Sequence, residues 1–280
     1  MNFVNPQSFL RDIIFVKIMT DVIVTRESMP VWGKAVNDDN PIHTDIEIAK
    51  EMGFEDTPVH GTRIAASAEQ FALDEINAMN SLGPENLIYT GQTIKLRKPL
   101  YPGVQAEWTS EFGSIEDEGN KLELKVFLNA GDEKIASGVA TVDLAREKFR
   151  LGKIEKIVKT TVIPKDADKI HDYYECLDCV SEKGLDMMYV AATIPSTLLT
   201  LLPKDDGKPK GGYSTIYLQF YNQPKAGEIK TIVGLASPPS MKRGTYFYTF
   251  EALCSQDDVP ILSGKVKAYL KKKLNFKLAD

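Results

Sequence analysis

Gly61-Thr62-Arg63-Ile64-Ala65-Ala66-Ser67-Ala68-Glu69-Gln70-Phe71-Ala72-Leu73-Asp74-Glu75-Ile76-Asn77-Ala78-Met79 returns its apolar side chains at helical intervals, through Ile64, Ala68, Phe71 and Ala72. That period predicts one long helix over residues 61–79 with a buried, uncharged face. Ser81-Leu82-Gly83-Pro84 ends it. Beyond this point the period changes. Leu87–Leu100, Gln105–Phe112, Lys121–Leu128 and Ile135–Leu144 alternate or run apolar for strand lengths, divided by Tyr101-Pro102-Gly103, Glu116-Asp117-Glu118-Gly119-Asn120 and Ala130-Gly131-Asp132-Glu133. A helix followed by four or five antiparallel strands suits an α+β domain whose sheet wraps round the helix.

Upstream, Leu10–Thr25 is rich in β-branched residues and predicts a strand or two, and Ser28 ahead of Met29-Pro30-Val31-Trp32 looks like the N-cap of a short helix. That helix delivers the chain to Asp38-Asp39-Asn40-Pro41-Ile42-His43. Asn-Pro favours a turn, so a carboxylate and an imidazole five positions apart can face one small volume. Together they are the minimum for acid–base work on a water molecule: one group takes a proton and another manages its return. Asp39 competes with Asp38 for the carboxylate role, and either Asp38 or His43 could be the base. Thr44-Asp45-Ile46-Glu47 reads as a capping box for a helix to about Glu51, with Gly53 as its stop. Next, Pro58-Val59-His60-Gly61 opens the long helix. A glycine there leaves first-turn N–H groups unshielded toward an approaching oxygen.

Asp-x-Asn-Pro-Ile-His at 38–43, Val59-His60-Gly61 and the later run Leu96-Arg97-Lys98-Pro99-Leu100-Tyr101-Pro102-Gly103 resemble the MaoC-like (R)-specific enoyl-thioester hydratases of the hotdog fold. The resemblance covers roughly residues 20–145. It implies a trans-2-enoyl thioester substrate, hydrated by Asp38 and His43 with the Gly61 N–H at the thioester oxygen. Asn40 is expected to brace the loop, and His60, Thr62 and Ser67 are candidate substrate contacts, with orientation of the helix start the favoured role for His60. Lys95 and Arg97 share one strand face that could meet the phosphates of coenzyme A or an acidic carrier protein, although an ordinary solvated charged face is the favoured reading. No metal and no cofactor is implied; coenzyme A or phosphopantetheine arrives only as part of the substrate. The chain departs from the family where Thr62-Arg63 replaces an apolar pair and Ala66 replaces a serine, with Ser67 displaced by one. These departures bear on acyl chain length.

The second half repeats the order. Helical signal covers Ala167–Cys179 and Val190–Leu202, and strands are predicted at Ser214–Tyr221, Glu228–Ala236, Gly244–Leu253 and Ile261–Leu270. Thr93-Ile94-Lys95-Leu96 recurs as Thr215-Ile216-Tyr217-Leu218, Gly103 as Gly227, and Ser137-Gly138 as Ser263-Gly264, at nearly constant spacing. A tandem duplication accounts for this, with a charged link over 145–160. The expectation is a double hotdog: a catalytic unit at 1–150 and a degenerate unit at 151–280, two antiparallel sheets each wrapped round a long helix and joined as one continuous pseudo-dimeric sheet. The second unit lacks the Asp-x-Asn-Pro-x-His loop, so its expected part is to shape the acyl tunnel. A homodimer of the fused pair is a further possibility.

Composition narrows the remaining classes. The chain has 280 residues, 43% hydrophobic and 26% charged, with a net charge of −5. These values fit a soluble globular protein and disfavour nucleic acid as main partner. No secretory signal opens the sequence, and Met187–Pro203, the longest uncharged stretch, is broken by Pro195 and several hydroxyls, so no membrane span is expected. Three cysteines make no disulfide framework, and Cys176-x-x-Cys179 reads as buried thiols in a reduced, cytoplasmic setting. Gly211-Gly212 reads as a turn. Nucleophile-elbow, dinucleotide, phosphate-loop and His-Glu-x-x-His patterns are lacking. Two other activities fit the same fold: an acyl-CoA thioesterase, in which the pair turns water on the carbonyl, and a non-catalytic acyl-thioester binding protein.

Overall fold

The computed structural model describes residues 20–82, 88–116, 121–143, 157–163, 171–173, 175–177, 204–205, 208–209, 211–222 and 228–270, with 190, 194, 224 and 273. A short strand β1 (Thr20–Ile23) leads to helix α1 (Ser28–Val36), a single 3-10 turn (Pro41–His43), helix α2 (Ile46–Glu51) and the long helix α3 (Gly61–Leu82). Strands β2 (Ile88–Leu96), β3 (Gln105–Glu116), β4 (Lys121–Ala130) and β5 (Glu133–Asp143) follow. The second half contributes β6 (Ile157–Ile163), β7 (Gly211–Phe220), β8 (Ile229–Leu235), β9 (Thr245–Gln256) and β10 (Val259–Leu270).

These ten strands lie in one antiparallel sheet in the order β1-β3-β4-β5-β2-β7-β10-β9-β8-β6, with the short strand Ser240–Lys242 hooked back onto β9. The order is the same read from either end once β1 is matched with β6, β2 with β7, β3 with β8, β4 with β9 and β5 with β10. Its centre is the β2–β7 pair. There Ile94 faces Ile216, Thr93 faces Tyr217 and Lys95 faces Thr215. Because Thr93-Ile94-Lys95 and Thr215-Ile216-Tyr217 are the repeated residues, each motif pairs with its own copy, the self-complementary register of a two-fold interface. The duplication seen in the sequence is thus the symmetry of the sheet, and the two hotdog units share it as one continuous surface.

The seam depends on bare backbone. A Cβ on Gly91 would stand 2.6 Å from the Leu218 carbonyl across the junction, and beside it, within the first unit, one on Gly138 would stand 2.5 Å from the Thr93 carbonyl. Only glycine permits such close strand approach. On the inner face of the sheet, α3 buries Ile64, Ala65, Ala68, Phe71, Ala72 and Ile76 against Ile94, Trp108, Leu122, Leu124, Val126 and Leu128, all in one apolar core. Each large side chain so enclosed contributes about 1.5–3 kcal/mol. Gln92 fixes the helix to the sheet by donating to the Ala65 carbonyl at 3.0 Å.

Several local expectations shift. The cap of α2 is Asp45, not Thr44: its carboxylate accepts from the Glu47 and Ile48 N–H groups. Ser28 is the first residue of α1 and not its cap; the Ser28 N–H is satisfied by the Thr25 hydroxyl. Residues 157–160, expected in the charged link, belong to β6, the counterpart of β1. Gly211-Gly212, expected as a turn, opens β7. Of the expected strand over 10–25, residues 20–23 form β1, and the part before residue 20 lies outside the described residues. So do most of the two helices expected in the second half, of which His171–Tyr173, Glu175, Val190 and Ile194 are helical. Among the described residues no helix is long and apolar enough to cross a membrane.

Candidate active site

The site begins where α1 ends. Asn37 adopts the left-handed conformation at φ 54°, which asparagine tolerates, and the Asp38 N–H donates to the Gly33 carbonyl at 2.8 Å. A Cβ on Gly33 would lie 2.7 Å from the Asp38 carbonyl, so glycine in α1 is what lets the loop fold back. Asn40, in extended conformation, caps the 3-10 turn by accepting from the Ile42 N–H at 3.3 Å, and Pro41 starts that turn. The turn carries His43 back over the loop. Local sequence chemistry thus brings both groups to one place.

Asp38 is 3% exposed and Asp39 is exposed, which selects Asp38 as the carboxylate enclosed in the site. Burial pushes the Asp38 carboxyl up to about 7; the Asn40 N–H, donating to it at 3.3 Å, opposes the rise, and the neighbouring Asp39 charge adds to it. His43 is also buried. Its Nδ1–H donates to the Pro58 carbonyl at 2.6 Å, which leaves Nε2 as the acceptor. Burial holds this imidazole down to about 4, against the pull of the Pro58 carbonyl. Neutral histidine beside a carboxylate titrating near neutrality is an arrangement suited to proton transfer.

His60 stacks on His43, with ring centroids 3.8 Å apart and planes 25° apart. It hydrogen-bonds to the Asp38 backbone, and its buried Nδ1 has no partner among the described residues. Burial first, then the charges of His43 and Arg63, keep it neutral. Ligand-type atoms of Asp38, His43 and His60 lie within 4.8 Å of one another. An ion bound through imidazole nitrogen sits in the ring plane at about 2.1 Å, and two stacked rings do not offer that position to a common ion. The trio is therefore better suited to handling protons.

Gly61 is the first residue of α3, whose initial N–H groups lack intrahelical acceptors. A Cβ here would meet Leu96 Cδ1 at 2.6 Å. Asn40, His43 and Gly61 line one cavity of about 240 Å³, together with Ile64, Leu96, Arg97 and Lys98. Arg97 is exposed at its edge and donates to the Ser137 hydroxyl at 3.1 Å, while Lys98 is paired with Glu133.

Thr62, Ser67 and Lys95 do not line this cavity. The Thr62 hydroxyl, 1% exposed, accepts from Trp32 Nε1 at 3.1 Å. Ser67 accepts from Trp108 Nε1 at 3.1 Å and faces a second cavity, of about 230 Å³, on the other side of Val59, Ile64 and Leu100. Lys95 is exposed at the seam. Arg63 turns away as well: its guanidinium donates to the Ser28 hydroxyl at 2.7 Å and the Cys176 carbonyl at 2.5 Å, and lies over Trp32. The departures at 62 and 63 therefore serve packing between α1, α3 and the second half. Arg63→Ala is expected to lower the unfolding free energy by about 2–3 kcal/mol, since charged hydrogen bonds inside the protein are lost. A denaturant midpoint equal to that of the wild type would contradict this.

The sequence reading expected the second half to shape the tunnel, but not through these residues. Gly212, Tyr213 and Ser214 from β7 and Tyr269 from β10 line the cavity opposite His43. Their signal was faint: alternation extends back through Gly211-Gly212, but two glycines read locally as a turn. Cys176 and Cys254 are buried; Cys254 lies 3.3 Å from the Thr231 hydroxyl and its thiol is pushed up to about 12 by burial. Cys179 lies outside the described residues.

Residues 17–137 match the family described as FAS1-like, dehydratase domain region. A mitochondrial 3-hydroxyacyl-[acyl-carrier-protein] dehydratase of Arabidopsis thaliana is 24% identical over 126 residues, covering 44% of this chain and 71% of the relative. Among solved structures, a MaoC domain protein dehydratase from Chloroflexus aurantiacus superposes with a TM-score of 0.69 at 10% identity, over 98% of this chain and 100% of that one. A 12:0-ACP thioesterase from Umbellularia californica reaches 0.56 at 7% identity, over 90% and 93%. At these identities the structural neighbours carry the fold.

Proposed function

We propose that the chain, whose residues 17–137 match the FAS1-like dehydratase domain region, is a MaoC-like hydro-lyase of acyl thioesters, adding water reversibly to a trans-2-enoyl thioester to give the (R)-3-hydroxyacyl thioester. The observation that carries this reading is the enclosure of Asp38 and His43 beside a cavity that also holds the first turn of α3.

His43, fixed as the Nδ1–H tautomer by Pro58, accepts one hydrogen bond from the water through Nε2. Ionised Asp38 accepts the other and removes that proton as the water oxygen bonds to C3. Electron density moves through C2 to the thioester oxygen, where the Gly61 N–H stabilises it. Asp38 then returns the proton to C2 on the same face, so the addition is syn. His60 holds the loop through the Asp38 backbone. Arg97 and Lys98 at the cavity edge suit the phosphates of coenzyme A or phosphopantetheine, and no cofactor is called for. In this reading residues 1–150 carry the chemistry and 151–280 complete the substrate cavity.

The sign of the pH dependence follows. Hydration needs Asp38 ionised, so kcat/KM should rise with pH through about 7 and then level. The requirement for neutral His43 acts only below about 4. A kcat/KM for crotonyl-CoA that stays flat from pH 5 to 9 would contradict the assignment of Asp38 as base.

The likeness to a thioesterase fold supports a second reading, in which the same pair directs water at the carbonyl. Crotonyl-CoA separates the two. Loss of the conjugated enoyl absorbance without release of free thiol is the expected result; thiol release at the rate of substrate loss would overturn hydration in favour of hydrolysis.

A further inference from the structure

The active-site cavity has a neighbour. Val59, Ile64 and Leu100 line it and also line the second cavity, of about 230 Å³, that Ser67 faces. The wall between the two is one side chain thick, and its three members are apolar and buried. Helix α3 gives the second cavity its direction. Ile64, Ser67, Phe71 and Asp74 line it at helical spacing, beginning three residues beyond Gly61. From Ile64 to Phe71 the helix rises about 10 Å, and Asp74 stands about 5 Å further on.

The lining changes character along that stripe. Opposite its middle stand Val22 of β1 and Trp108 of β3, the indole N–H held by Ser67. Cys176 and Leu177 of the second unit close the side of Arg63, whose guanidinium is turned onto Ser28 and the Cys176 carbonyl and so leaves the near part apolar. The far end is polar. There Gln70 donates to Asp74 at 3.0 Å, and burial holds this half-buried carboxyl above its ordinary range.

Resting on the hydratase reading for the identity of the ligand, we propose that this second cavity is the tail chamber of the substrate: an acyl chain of medium length passes between Val59, Ile64 and Leu100 and lies along α3, with Gln70 and Asp74 setting its limit. A thioester oxygen at the Gly61 N–H and a C3 beside His43 leave the rest of the chain next to Ile64, one turn on. The exposed edge with Arg97 and Lys98 is left to the carrier. A short group such as crotonyl fills the first cavity alone and forgoes burial of a tail. An alkyl chain longer than the apolar stripe sets its end against the Asp74 carboxylate, which loses water and gains no hydrogen bond. The second unit thus contributes to chain selection through Cys176 and Leu177, without any acid–base group of its own.

The test is calorimetric binding of saturated acyl-pantetheine thioesters to the full chain. These cannot be hydrated, and they carry the head common to coenzyme A and a carrier protein. Octanoyl-pantetheine should bind at least about thirtyfold tighter than butyryl-pantetheine, since each added methylene leaves water for an apolar wall. Val22→Phe fills the chamber from β1 and should cut that ratio to about threefold or less. Asp74→Leu should bind dodecanoyl-pantetheine at least about tenfold tighter than the wild type does, a gain that misfolding cannot produce. Equal octanoyl and butyryl affinities in the wild type would overturn the proposal. So would a wild-type ratio in a Val22→Phe protein that melts like wild type, or an Asp74→Leu protein without the gain. A chain that shows these ratios but hydrates no enoyl thioester loses the hydratase reading and keeps the chamber; one that hydrates enoyl thioesters while binding all tails alike loses the chamber alone.

Discussion

Asp38→Asn should lower the turnover of crotonyl-CoA by about 10²–10⁴-fold, the contribution of a positioned acid–base group. Asparagine keeps the shape of the side chain and can still accept from the Asn40 N–H, but it cannot take the proton from water. The same substitution should leave the fold at least as stable. A buried carboxyl raised to about 7 is a group the folded state holds less willingly as an anion than the unfolded chain does. Above the unfolded value, near 3.9, folding is penalised increasingly as pH rises toward 7, and the penalty is constant beyond. Asparagine removes it. At pH 8 the variant should therefore melt at or above the wild-type temperature while being nearly inactive. A variant that lost activity only in proportion to lost folded protein would point to a structural role instead.

Gly91→Val carries the second large effect, on the junction between units. The new Cβ would press on the Leu218 carbonyl at 2.6 Å and the Gln219 Cα at 3.3 Å, both backbone atoms of the neighbouring strand. Neither can rotate away. Overpacking of this kind costs about 1–3 kcal/mol, and more when backbone must move, so about 3 kcal/mol is expected. Since β7 also carries Tyr213 and one wall of the cavity, activity should fall together with stability. Chemical denaturation checks the first statement and crotonyl-CoA kinetics the second. Gly103→Ala gives a contrast: its site is open, and its cost comes only from a φ of +82°.

The sequence carried most of this architecture because its signals were local or repeated. Alternation over Gln105–Phe112 and Ile261–Leu270 lies within strands β3 and β10, since period-two burial needs no knowledge of the partner strand. The copy of Thr93-Ile94-Lys95 at Thr215-Ile216-Tyr217 carried the pseudo-two-fold even before the register was known. Asp38, His43 and Gly61 were legible because a turn and a helix start hold them together over a short stretch. Other features were not local. Thr44 and Asp45 can both cap a helix, and only the backbone decides between them. Ile157–Ile163 was obscured by the charges before it, although an edge strand tolerates such neighbours. Tyr213 enters the site through strand pairing far along the chain, which no neighbouring residue announces.

The most direct test of the account is the stereochemistry of hydration in deuterated water. Crotonyl-CoA incubated with the full chain should give (R)-3-hydroxybutyryl-CoA carrying one deuterium at C2, syn to the new hydroxyl, because one carboxylate takes the proton from water and returns it on the same face. An (S)-alcohol or anti addition would contradict the single-face transfer assigned to Asp38. No hydration by a folded wild-type protein would contradict the enzymatic reading itself.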